Sequence, residues 1–236
     1  MINEAIILAG GLGTRLKESV PDLPKPMAPL SGKPFLYYVL DYLYQAGIKR
    51  TILSVGHLHE SVINFFGQKF KGIQLEYVIE DIPLGTGGAI KLALSKAKSP
   101  AIAILNGDTF FPVPLREMYD FHRNKDADLT LALKPMHKFD RYGTIELEGD
   151  RINSFKEKTY LDYGLINGGV YIARKNILSG NEWPEKFSFE KEFLEKKANK
   201  LVFAGFTCDQ YFVDIGIPED YAKAEKELPH WILYGK

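Results

Sequence analysis

Chemistry is concentrated near the start of the chain, in the stretch LAGGLGTRLKESVPDLPKPM. Gly10, Gly11 and Gly13 offer backbone that can approach an anion closely, with N–H groups clear of side chains. Arg15 adds a planar guanidinium fork suited to phosphate oxygens, and Lys25 adds a compact point charge. Pro24 and Pro26 restrict the backbone around that lysine, so its ammonium is aimed at a lower entropic cost. Together these residues predict a loop that holds phosphate. A glycine-rich turn without a ligand is the plainer reading of the glycines alone; the arginine and the stiffly held lysine weigh against it. Two familiar phosphate loops are excluded. The pattern G-x-x-x-x-G-K-[ST] is absent, and Leu16 stands where G-x-G-x-x-G needs its third glycine.

Carboxylates recur further along. Asp108 in LNGDTFF follows the apolar run AIAIL, and Asp214 in FVDIGIPEDY follows another. Taken singly, Asp108 reads first as a turn residue and Asp214 as a cap for the helix expected after Pro218. Glu80 opens EDIPLGTGGAI, whose Gly85, Gly87 and Gly88 let a ligand lie against the backbone at a helix start. A carboxylate there only accepts hydrogen bonds.

These residues need a scaffold that gathers strand ends. Short apolar runs at 4–8, 51–55, 75–80 and 101–105 read as buried strands, while 35–47, 60–70 and 87–97 have helical spacing. Such alternation predicts a mainly parallel sheet covered on both faces, with ligands beyond the carboxyl ends of its strands. In the second half, 128–135, 142–147, 152–157 and 165–173 follow one another with little helix between, which predicts antiparallel additions. Two further helices are expected near 187–197 and 218–228. The fold class is therefore α/β, a Rossmann-like three-layer sandwich with a mainly parallel mixed sheet, and the chain is read as one domain over 1–236.

The pattern L-A-G-G-x-G-T-R-L followed by P-K-P resembles the signature of the sugar-nucleotidyltransferases. Those enzymes join a nucleoside triphosphate and a sugar 1-phosphate into a nucleotide-sugar, on the nucleotide-diphospho-sugar transferase type of Rossmann-like fold. The resemblance implies a nucleotide-side half of about 1–110 and a sugar-phosphate-side half of about 111–236. It implies that Leu8, Ala9, Gly10, Gly11, Gly13 and Thr14 wrap the triphosphate, that Arg15 grips the departing pyrophosphate, and that Lys25 sits by the α-phosphate. Asp108 and Asp214 match the family's two aspartates for Mg2+, and Glu80, Gly85 and Thr86 match its base-and-ribose segment. Guanine presents two adjacent donors that a carboxylate can accept together, so Glu80 favours GTP. Gly143, Glu157, Lys158, Asn167, Gly168 and Gly169 match the sugar phosphate pocket, the glutamate for hydroxyls and the lysine for phosphate. FDRYGT, GLINGGVY and KFSFE look most like the branch that guanylylates D-glycero-α-D-manno-heptose 1-phosphate for bacterial surface polysaccharide.

Composition bounds the rest. Thirty basic residues balance thirty acidic ones, so a basic surface for nucleic acid is not expected. One cysteine, Cys208, excludes an internal disulfide and a cysteine metal cluster. The N-terminus lacks the basic start and long apolar run of a signal peptide, and no run reaches a membrane span, so a cytoplasmic protein without a membrane partner is expected. Tyrosines in YYVLDYLYQ at helical spacing suit either the core or an association surface, and HWILY suits either a subunit contact or packing back on the core, so a homo-oligomer is an open expectation. Rival readings are a uridylyl- or thymidylyltransferase on a hexose 1-phosphate, a glycosyltransferase, and a nucleotide-sugar sensor. A glycosyltransferase typically carries D-x-D, whereas Asn106 takes the first position here. A sensor would often have lost Arg15 or Lys25.

Overall fold

Alternation within each strand decides which layer of the core a residue joins. In β1 (Glu4–Leu8), Ala5 and Ile7 face one apolar layer while Ile6 faces the other. The same division holds in β4 (Arg50–Val55), where Leu53 and Val55 oppose Ile52. Helices cover both faces, as the apolar runs demand. The structure, a computed structural model, describes residues 1–11, 23–180 and 182–234.

After β1, a 3-10 turn (Lys25–Met27) leads into a two-strand ribbon, β2 (Pro29–Leu30) and β3 (Lys33–Pro34), and then α1 (Phe35–Gln45). Phe35, Leu36, Val39, Leu40 and Leu43 of α1 are buried, each worth about 1.5–3 kcal/mol of apolar transfer. Gly47, at φ +85°, turns the chain into β4. Next come α2 (His59–Phe66), β5 (Lys69–Phe70), β6 (Ile73–Ile79), α3 (Gly85–Leu94), β7 (Ala101–Asn106) and β8 (Thr109–Phe110). The chain continues through α4 (Leu115–Asn124), β9 (Leu129–Phe139), β10 (Thr144–Glu148), β11 (Arg151–Lys156) and β12 (Leu161–Arg174). A π-helical turn (Phe189–Leu194) runs into α5 (Glu195–Lys197), followed by β13 (Phe203–Thr207), β14 (Val213–Asp214) and α6 (Pro218–Tyr234).

Among the described residues, ten strands form one sheet in the order β10-β11-β13-β9-β12-β7-β1-β4-β6-β5. β7, β1, β4 and β6 are mutually parallel, and β12 enters antiparallel to both β7 and β9. Following the pairings outward, β5, β11 and β12 run one way and the other seven strands the opposite way. The sheet is thus mixed and mainly parallel, with antiparallel additions from the second half. No helix among the described residues is long and apolar enough to cross a membrane.

The expected elements differ from the observed ones in instructive places. The helix over 60–70 stops at Phe66, because Gly67 takes φ +59° and Phe70 pairs with Ile73 of β6. The helix over 187–197 begins instead as the π-helical turn. α4 and β13 have no counterpart among the expected elements: α4 buries a narrow stripe of Leu115, Met118 and His122 under a polar face.

The buried His122 has a thermodynamic signature. Its Nδ1 lies 2.9 Å from Thr130 Oγ1, and burial, then the charge of Arg174, pushes its pKa from 6.5 down to about 4. Between those values the unfolded chain binds the proton and the folded chain does not. Neutral His122 therefore contributes stability in full above pH 6.5, and that contribution is lost as pH falls toward 4, at up to about 1.4 kcal/mol per pH unit. Urea titrations from pH 4 to 7 should show this slope, flattened by about one proton in His122→Asn.

Candidate functional site

The carboxyl ends of β1 and β7 open onto a cavity of about 400 Å3 lined by Leu8, Gly10, Gly11, Lys25, Glu80 and Gly85, among others. A second cavity of about 490 Å3 adjoins it, lined in part by Arg141, Tyr142, Lys158, Asn167, Glu190 and Asp214. Thr86, Asn106 and Asp108 line both. The two spaces meet at the end of β7.

Backbone pairing builds that junction. β8 and β14 pair antiparallel with Asp214 opposite Thr109, and Ile215 N–H donates to the Asp108 carbonyl at 2.9 Å. The two aspartates expected from strand ends more than a hundred residues apart are thereby neighbours. Asp214 Oδ1 accepts the Gly216 N–H at 2.8 Å. Burial, and next the charge of Asp108, raises the pKa of Asp214, while Gly216 N–H and Lys25 pull it down. Lys25 Nζ lies 3.2 Å from Asp108 Oδ2. The 3-10 turn holds that lysine: Met27 N–H donates to Pro24 O at 2.8 Å and Ala28 N–H to Lys25 O at 2.9 Å. The stiffness expected from the flanking prolines is present as hydrogen-bonded geometry.

Glu80 sits at the wall of the first cavity. Its Oε1 accepts the Ser54 hydroxyl at 3.1 Å and its Oε2 accepts the Leu84 N–H at 3.2 Å. Gly10 lets Glu80 sit close to the loop: a β-carbon at Gly10 would lie 2.6 Å from Glu80 Oε1 and push that carboxylate aside. Gly85 starts α3 at φ +71°, and a β-carbon there would meet Phe187 O at 2.6 Å. Its neighbour Thr86 donates its hydroxyl to Glu190 Oε2 at 2.7 Å and accepts the Phe189 N–H at 2.9 Å.

In the second cavity, a register shift between Asn167 and Tyr171 in the β9–β12 pairing turns Asn167 inward. Asn167 Nδ2 donates to Tyr171 OH at 2.7 Å and Oδ1 accepts the Gly169 N–H at 3.0 Å. Arg141 pairs with Asp220 at 2.7 Å. Tyr142, from the quoted FDRYGT, has its phenol pushed up to about 12 by burial and then by Asp214.

Leu8, Gly10, Gly11, Lys25, Glu80, Gly85, Thr86, Asp108, Lys158, Asn167 and Asp214 thus line one or both cavities. Gly13, Thr14 and Arg15 lie outside the described residues. Ala9 is buried and donates its N–H to Ser54 O at 2.7 Å, anchoring β1 to β4. Glu157 is exposed and outside the lining of either cavity, and Gly143 lies against Lys156 O. Gly168 packs beneath the Phe111 ring, while Gly169 lines the second cavity as expected. Arg141, Tyr142, Glu190 and Asp220 were not singled out by sequence reasoning, although FDRYGT, KFSFE and FVDIGIPEDY carry them; Asn106 entered only through the absence of D-x-D. Among the described residues, no three potential ligands from histidine, cysteine, aspartate and glutamate converge on a metal site.

Comparison with known proteins shows the family to which a chain of this fold belongs. A family model described as nucleotidyl transferase matches residues 4–230. A protein of Aneurinibacillus thermoaerophilus named D-glycero-alpha-D-manno-heptose 1-phosphate guanylyltransferase is 55% identical over 229 residues, covering 97% of this chain and 100% of that one. A Campylobacter jejuni protein of the same name is 48% identical over 219 residues, covering 92% and 96%. The crystal structure of HddC from Yersinia pseudotuberculosis complexed with GMP-PN superposes with a TM-score of 0.85 at 38% identity, covering 96% of this chain and 99% of that one.

Proposed function

Because the chain belongs to the nucleotidyl transferase family, we propose that it transfers the guanylyl group of GTP to D-glycero-α-D-manno-heptose 1-phosphate. The products are GDP-heptose and pyrophosphate. The observation that carries this reading is the pair of adjoining cavities that share Asp108, with Lys25 reaching that aspartate from the first of them.

GTP occupies the cavity of Glu80 and the glycine loop, and the sugar phosphate occupies the cavity of Lys158 and Asn167. Each oxygen of Glu80 already takes one donor from the chain and keeps a second acceptor position, enough for the two adjacent donors of guanine. The attacking oxygen of the sugar phosphate is already anionic, so no general base or covalent intermediate is needed. What the residues supply is alignment and neutralisation of charge. The phosphate oxygen forms its bond to the α-phosphorus as the bond to the β-phosphate bridging oxygen breaks. Lys25 balances charge at the α-phosphate, and Arg15 is assigned to the leaving pyrophosphate.

Asp108 and Asp214 suit a magnesium ion. Burial, and then their mutual repulsion, disfavours the charged form of Asp214; a shared cation would relieve that repulsion, and one or two carboxylates are the usual protein share of a Mg2+ site completed by phosphate. When bound, the ion withdraws charge from the phosphate oxygens.

The test is pyrophosphate release from GTP, UTP, dTTP, ATP and CTP, each paired with heptose, mannose and glucose 1-phosphates in Mg2+. We expect GTP with the heptose phosphate to exceed every other pair. Preference for UTP or dTTP with a hexose phosphate would overturn the assignment, and bound nucleotide-sugar without turnover would favour a sensor.

A further inference from the structure

Resting on the sugar 1-phosphate reading, we infer that Glu190 is a specificity-determining residue that accepts a hydrogen bond from a hydroxyl of the incoming sugar. The chemistry of the second cavity leads to it. Lys158 and Arg141 supply positive charge suited to phosphate. Of the carboxylates that line the cavity, Asp220 is committed to Arg141, and Asp108 and Asp214 face each other at the junction. Glu190 is the remaining one, and Glu157 lies outside the lining. A carboxylate repels phosphate and accepts from hydroxyl groups, so its complement on the ligand is the polyol and not the phosphate.

The local fold fixes this side chain. Phe189 and Phe193 of the π-helical turn are buried and stacked, with ring centroids 4.9 Å apart, which anchors the turn on either side of Glu190. Ser188 caps the turn: its Oγ accepts the Lys191 N–H at 3.2 Å, while its own N–H donates to Glu192 Oε2 at 2.7 Å. Glu190 Oε2 takes the hydroxyls of Thr86 at 2.7 Å and Ser188 at 3.1 Å. Oε1 has no hydrogen-bond partner among the described residues, leaving it for a ligand. Burial and then the charge of Glu190 raise the Tyr171 phenol, which hydrogen-bonds to Asn167 of the same cavity. Glu190 therefore lies near the Tyr171–Asn167 pair through which β12 lines the cavity. Helical irregularities of this kind are frequent at functional sites.

The experiment is a cycle between the protein and its substrate. Wild type and Glu190→Gln are compared on heptose 1-phosphate and on its monodeoxy analogues, with thermal melting as the folding control. We expect Glu190→Gln to lower kcat/KM for the full sugar by about 10- to 100-fold, as for loss of a hydrogen bond to a charged group. KM for GTP should stay within about twofold. Against one deoxy analogue, the variant and wild type should become equal, identifying the hydroxyl that is read. An equal loss on every analogue, or a parallel rise in KM for GTP, would overturn the inference and leave Glu190 as a support for Thr86. If Glu190→Gln does not fold, Glu190→Asp is put through the same cycle. Failure of the wild type on all sugar phosphates would instead overturn the functional reading, so the two failures are distinct.

Discussion

Asp108→Asn lowers kcat for GTP-dependent pyrophosphate release by about 10³-fold while the melting temperature moves by no more than about 4 °C. The substitution is isosteric and leaves the backbone bond from Ile215 N–H to Asp108 O untouched, so β8 and β14 remain paired. What it removes is one of two negative charges at the meeting point of the cavities. The neutral amide is a poor ligand for magnesium and no longer holds Lys25 at 3.2 Å. Because Asp108 raises the Asp214 pKa, its neutralisation should also let Asp214 ionise at lower pH, so a small stability gain is compatible with a large loss of rate. Steady-state kinetics at saturating Mg2+, beside a melting curve, checks both. Turnover within tenfold of wild type in a folded variant would remove Asp108 from the metal-binding role.

The second large effect concerns Lys25. Lys25→Met keeps an unbranched stem in a position whose side chain is 11% exposed, and deletes the ammonium. We expect kcat to fall by about 10²- to 10³-fold, the scale seen when one preorganised group at a developing charge is removed. KM for GTP should change far less, because the charge matters most when the α-phosphorus carries both entering and leaving oxygens. The reverse pattern, a raised KM with kcat intact, would mean that Lys25 binds the ground state and nothing more. Lys25→Arg is not expected to restore the rate: the planar fork is wider than an ammonium, and Pro24 and Pro26 leave little freedom to reposition it.

Much of this was legible in the sequence because the chemistry and the strand ends coincide. The continuous apolar runs EAIIL and AIAIL placed Leu8 and Asp108 at the carboxyl ends of buried parallel strands, and the prolines around Lys25 announced a fixed cation. Asp214 was visible as a strand-end aspartate. Its pairing with Asp108 depends on a two-residue ribbon, β8 with β14, too short to leave a periodic signal. α4 was hidden for a related reason, since its apolar stripe includes a buried histidine, and β13 because FAGFT is short and carries a glycine. Of Asn167, Gly168 and Gly169, all expected at the pocket, Gly168 packs on Phe111 instead, because the register shift in β12 cannot be located from residue types alone. Glu190 lay within a quoted motif, but which of Ser188, Glu190 and Glu192 faces the cavity is set by the π-helical turn.

Direct transfer between the two cavities is tested most plainly by rapid-quench mixing of the enzyme with radiolabelled GTP and Mg2+, first without and then with heptose 1-phosphate. Direct displacement predicts no burst of pyrophosphate in the absence of the acceptor, and one GDP-heptose per pyrophosphate once it is added. A burst stoichiometric with enzyme before the acceptor arrives, or pyrophosphate without GDP-heptose afterwards, would contradict it.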